Sequence, residues 1–212
     1  MLVFSKQKLV FLSVPKTGTT AWQAALAEHA SMIVSDPPEL KHAPIFRYNR
    51  FFRPALEKFI GEDLHVIAVM REPIDWLGSW YRYRQRPFLS GKPVSTEDMS
   101  FDAFVRDYVA GAQPRHANVG SQSKFLEPQK NGTAATHVFR YEDQPALADY
   151  LEARLGFRVE TDRLNASPRE PLALSPETEA VLRRKYAPDF RLYASIGPDG
   201  SYTPEPVPSP IN

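Results

Sequence analysis

Three short apolar runs, Leu9–Val14, His65–Met70 and Thr136–Tyr141, punctuate this chain of 212 residues. Each stops at a polar loop containing proline and gives way to a helix-forming stretch. Runs of this length bounded by turn signals read as buried strands. Strands that alternate with helices build a parallel sheet, because each parallel crossover carries a helix back across a face. The expected class is therefore α/β, in three layers around a central parallel sheet. Helices are expected over 21–30 (AWQAALAEHA), from about Ile74 to Arg84, from Glu142–Pro145 to Gly156, and after Ser175-Pro176-Glu177. Residues 101–110 are helix-like, and 35–60 show no regular period.

The length suits one domain, which at this size buries roughly 70% of its unfolded surface and needs no metal or disulfide to hold it. Proline is frequent, at 20 residues, and four of them fall in the last nine. Alternating prolines deny a segment helix and inner-strand hydrogen bonds. The division expected is a domain over 1–196 and an extended arm over 197–212. The absence of cysteine excludes disulfides, iron–sulfur clusters, thiolate zinc sites and cysteine nucleophiles. With 26 Lys and Arg against 25 Asp and Glu the net charge is +1, so a nucleic-acid partner held by bulk charge is not expected. No apolar run approaches the ~20 residues of a membrane span. No signal peptide is read at the N-terminus, and a cytoplasmic setting is expected.

Between the first strand and first helix lies Pro15-Lys16-Thr17-Gly18-Thr19-Thr20. Unpaired amides of a first helical turn and the helix dipole both favour an anion. Lys16 adds a mobile cation, Gly18 permits close approach of the backbone, and Thr19 and Thr20 add hydroxyls. The same residue types also suit an ordinary loop capping a helix. The segment is not a Walker A loop, in which lysine follows the last glycine. Here Lys16 precedes Gly18, which argues against a P-loop kinase or ATPase of the usual kind.

Set after an apolar strand, this loop resembles the 5′-phosphosulfate loop of the sulfotransferase family, whose donor is 3′-phosphoadenosine 5′-phosphosulfate (PAPS). A second motif agrees. Arg71 ends a strand, and Ser79 follows eight positions later on the next helix; this resembles the family's pair for the 3′-phosphate. Three further stretches are similar to family segments. They are Phe139-Arg140-Tyr141-Glu142-Asp143, Gly120–Leu126 and Tyr186–Tyr193, the last two resembling the carbohydrate-directed branch. The resemblance covers residues 9–195. Phenol and steroid sulfotransferases often place tryptophan directly after the second threonine. Here Ala21 stands there and Trp22 follows, which favours the carbohydrate-like branch.

The resemblance implies a sulfotransferase fold related to P-loop NTPases. It implies transfer of a sulfuryl group from PAPS to a hydroxyl or amine, with carbohydrate among the acceptors. Lys16, Thr17, Gly18, Thr19 and Thr20 would hold the 5′-phosphate side, with Lys16 acting at the bond that breaks. Arg71 and Ser79 would hold the 3′-phosphate, and Gln122 and Tyr141 would line the nucleotide pocket. No metal is implied. The alternative is a nucleotide-binding protein of similar fold without transferase activity.

Transfer to an acceptor needs a base. His29 falls in the first helix, and His65 and His137 fall at strand starts, where packing or surface roles are expected. His42, in Glu39-Leu40-Lys41-His42-Ala43-Pro44, resembles a substrate-side lysine–histidine–alanine motif of the carbohydrate-directed branch. It is the candidate base, with a structural role as the other reading and Glu39 and Asp36 as carboxylate alternatives. The histidines show no metal-ligand spacing. The run Trp80–Arg86 mixes cations and aromatics. It is expected to be an amphipathic helix with a solvated basic face, rather than a surface interleaved with nucleic-acid bases.

Overall fold

Leu2–Phe4 (β1) and Leu9–Phe11 (β2) form an antiparallel hairpin in register Leu2–Phe11, Val3–Val10 and Phe4–Leu9. The computed structural model describes residues 1–159 and 172–204. Along the chain follow Thr19–Leu26 (α1), Met32–Ile33 (β3), Pro38–Lys41 (α2), Ile45–Arg47 (α3) and Arg53–Ile60 (α4). Then come His65–Met70 (β4), Pro73–Arg84 (α5), Phe101–Tyr108 (α6), Gln122–Phe125 (α7) and His137–Arg140 (β5). Gln144–Leu155 (α8), Pro176–Lys185 (α9) and Ala187–Ser195 (α10) complete the described elements.

The sheet order is β3-β1-β2-β4-β5. The strands β2, β4 and β5 run parallel, whereas β1 pairs antiparallel with both β2 and β3. The fold is α/β as expected, but the sheet is mixed and parallel only in its β2–β4–β5 part. The correction has a simple cause. Only Ser5–Lys8 separate β1 from β2, and so tight a turn can join antiparallel strands alone. β1 and β3 are three and two residues long, too short to carry a pattern of their own.

Alternate residues of the strands feed two cores. Val10, Leu12, Val66, Ala68, Met70 and Val138 face Ile45, Tyr48, Leu56 and Leu192. Leu9, Phe11, Ile67, Val69 and Phe139 face Trp22, Leu26, Leu147 and Leu151. Helices thus cover both sheet faces. A third core joins α5, α6 and α9 through Trp76, Tyr81, Phe104, Tyr108 and Leu182. Helix starts follow local chemistry. Glu72 and Ser175 cap α5 and α9, accepting from the amides of Asp75 and Thr178, and each is followed by proline.

The first residues assigned to the arm lie on the body. Val138 donates its backbone N–H to the Gly200 carbonyl at 2.8 Å. Tyr202 packs on the first core and donates its hydroxyl to Ala135 at 2.8 Å. Gly200 has φ +79°, and a Cβ there would meet Phe139 at 2.6 Å, so this turn requires glycine. The rest of the expected arm, 205–212, lies outside the described residues. Among the described residues no helix is long and apolar enough to cross a membrane.

Candidate functional site

Because β2, β4 and β5 are parallel, their C-terminal ends share one edge of the sheet. The loop 14–18, Arg71 and Tyr141 leave these three strands, and that edge is where open α/β sheets bind ligands.

Buried contacts fix the loop. The Thr17 hydroxyl donates to the Val14 carbonyl at 2.9 Å, and Trp76 Nε1 donates to the Pro15 carbonyl at 2.8 Å. Thr17, expected to touch phosphate, is therefore engaged within the loop and fully buried. Lys16 is held at φ +67° and Gly18 at +73°. A left-handed lysine stores about 1–3 kcal/mol of strain, a kind of outlier that gathers at functional sites. Gly18 caps α1 without any side-chain partner. A Cβ on Gly18 would lie 2.8 Å from the Tyr141 ring, so the ring reaches the loop only because residue 18 is glycine. Among the described residues the backbone N–H groups of Gly18, Thr19 and Thr20 find no acceptor. Three unpaired donors at a helix start make a cradle for an anion.

The Lys16 ammonium lies over two rings of α5, 4.3 Å from the centre of Tyr83 and 5.8 Å from that of Trp80. Burial, followed by repulsion from Arg86 and Arg71, pushes it down from 10.5 to about 8. A nearby anion would relieve all of this.

Arg71 is only 7% exposed. Its Nε donates to Asp75 Oδ2 at 2.7 Å, and its guanidinium lies 4.4 Å from the Tyr141 ring centre. Gln122, expected in the nucleotide pocket, is 1% exposed. Its amide instead clamps the backbone of Arg71, accepting from N–H at 2.9 Å and donating to C=O at 2.8 Å. Gln122 therefore sets the position of Arg71. Ser79 is half-buried on α5, and among the described residues its hydroxyl makes no hydrogen bond.

His42 stands just after α2, with Nδ1 2.7 Å from the carbonyl of Ser13 at the base of the loop. A carbonyl only accepts, so Nδ1 carries the proton and Nε2 keeps a free lone pair. Burial lowers the pKa of His42 from 6.5; the Lys41 and Lys16 charges add to this, and the Ser13 carbonyl opposes it. The imidazole is thus neutral at pH 7, with its Nε2 lone pair available to accept a proton. Asp36 and Glu39 are exposed. Trp22 is buried in the second core and donates to Gln144 at 3.0 Å.

The basic face expected for 80–86 needs correcting in part. Arg84 is buried and donates to the Arg115 carbonyl at 2.7 Å. Sequence reasoning missed Asp75 as the partner of Arg71 and Tyr83 as the platform of Lys16. The i,i+4 spacing of Arg71 and Asp75 was a readable signal; the Lys16–Tyr83 contact joins segments with no local link. Among the described residues no cluster of His, Asp and Glu has the makings of a metal site. No protein-family model matches the chain, and no curated protein matches it.

Proposed function

We propose that this chain is a sulfotransferase of the P-loop-like fold, acting in the cytoplasm, which moves a sulfuryl group from PAPS to a hydroxyl or amine of an acceptor, with carbohydrates among the candidates. The supporting observation is that Lys16, the free amides of Gly18–Thr20, Arg71 and His42 meet at one sheet edge. The donor supplies an activated sulfur bound to a phosphate oxygen. The amides of Gly18–Thr20 offer donors to that phosphate, and Arg71 with Ser79 offers a guanidinium and a hydroxyl to the 3′-phosphate. Lys16 lends its positive charge to the oxygen released when the sulfur–oxygen bond breaks. His42 Nε2 accepts the proton of the acceptor group as its oxygen or nitrogen bonds to sulfur.

The test is calorimetry with adenosine 3′,5′-bisphosphate and AMP, beside an acceptor screen with labelled PAPS. The bisphosphate should bind at least about tenfold more tightly, since charge-assisted hydrogen bonds contribute ~1.5–3 kcal/mol each. Equal affinities would remove the donor assignment. Tight bisphosphate binding without transfer to any acceptor would leave a nucleotide-binding protein.

A further inference from the structure

The opposite edge of the sheet, where β2, β4 and β5 begin, carries a second group of cations. A cavity of about 290 Å³ opens there, lined by Lys6, Gln7, Lys8, Asp63, His65 and Arg154. Lys6 and Lys8 belong to the β1–β2 turn, Asp63 and His65 lead into β4, and Arg154 lies in the last turn of α8. Three cationic side chains thus face one carboxylate. Asp63 is 72% exposed and bound to Lys8 at 2.6 Å. An ion pair so wet contributes little and exchanges readily.

At and behind the cavity, His65 Nδ1 and Arg154 Nε are buried without hydrogen-bond partners, and the Tyr150 hydroxyl lies beside the Arg154 side chain. The His137 ring joins them, 6.2 Å from His65 and 4.8 Å from Tyr150 between ring centres. An unsatisfied buried polar group is destabilising, and native proteins rarely leave such groups close together without a bound ion or water. Burial, then the Arg154 charge, lowers the pKa of both imidazoles. Asp63 opposes this at His65 and Asp199 opposes it at His137, while His137 adds to it at His65. The local field is therefore positive. None of these groups serves the proposed transfer, and Lys8 and Lys16 flank opposite ends of β2.

We propose that this cavity binds a small oxyanion, phosphate or sulfate, as the free ion or as a monoester of a small molecule. Arg154, Lys6 and Lys8 supply the charge, and His65, in the cavity wall, adds an imidazole. The volume lies at the lower limit of small-molecule sites, which suits a compact group rather than a nucleotide. The site is independent of the reading given to the Lys16 loop.

The experiment is an NMR titration of the histidine side chains with inorganic phosphate and, in a second arm, with glycerol 3-phosphate. Binding should shift the His65 and His137 signals and raise their pKa, because an anion that favours the imidazolium must itself be favoured by it. Arg154→Ala should weaken binding about tenfold or more, the scale of a lost charge-assisted bond. Lys8→Gln, at an exposed position, should weaken it less. Asp63→Asn should tighten it by freeing Lys8. Lys16→Ala should leave it unchanged. The arm that binds more tightly identifies a free ion or a monoester. No shift of either imidazole at millimolar phosphate overturns the proposal, as does binding lost with Lys16→Ala and kept with Arg154→Ala and Lys8→Gln.

Discussion

Lys16 and Arg84 approach the same indole, with the Lys16 ammonium 5.8 Å and the Arg84 guanidinium 5.5 Å from the centre of Trp80. Both are desolvated, and burial lowers the pKa of each. Their surroundings otherwise differ. Arg84 donates to the carbonyls of Arg115 and Val94, at 2.7 and 3.4 Å, and so ties two loops to α5. Lys16 makes no hydrogen bond from its ammonium among the described residues, sits in a left-handed backbone, and is repelled by Arg86 and Arg71. A cation whose donors are used within the fold is part of its scaffold. A cation kept out of water with its donors unused is destabilising until an anion arrives, which is the condition of a binding group.

The largest effect that sharpens this contrast is expected at His42, on the ligand side. His42→Ala should lower kcat by ~10²–10⁴ while bisphosphate binding stays nearly constant. In the wild-type protein the base form exists above the His42 pKa, so kcat/KM should fall on the acid side only below the ordinary imidazole value of 6.5. It should fall again as pH rises through about 8, where Lys16 loses its proton. Retention of more than a tenth of kcat in the variant would move the base elsewhere.

Next comes Lys16→Met. Removal of one transition-state donor costs ~10²–10³ in rate, yet the melting temperature should hold or rise, since a desolvated cation has gone. The alkaline limb of the pH profile should vanish with it. A variant that melts lower would show that Lys16 holds the fold as Arg84 does.

Arg84→Met should behave in the opposite way. It leaves two carbonyls unpaired and should cost about 1–3 kcal/mol of stability, or roughly 3–10 °C in melting temperature. Bisphosphate affinity should change little. A stable Arg84→Met protein that binds donor poorly would break the comparison.

What was legible in the sequence was local. The strand at 65–70 and the helices at 73–84 and 144–155 carry their own signals: an unbroken apolar run, prolines at first turns, and a glycine at a C-cap. The loop 15–20 carried residue types that suit either an anion site or an ordinary helix cap, and its order set it between a strand and a helix start. β1 and β3 were illegible, because strands of three and two residues are stabilised by their partners and not by a period.

The tertiary structure decided everything that depends on distant neighbours. Gln122 became a clamp on Arg71 because a residue 51 positions away presents its backbone there. His42 acquired its tautomer from the carbonyl of Ser13, 29 positions back. Lys16 acquired its depressed pKa from burial and from Arg86 and Arg71, which other segments bring beside it. Residue types and local order determined which groups could meet an anion. Only packing determined their charge, their protons and which of them remain unpaired, because desolvation and Coulomb forces act through space and not along the chain.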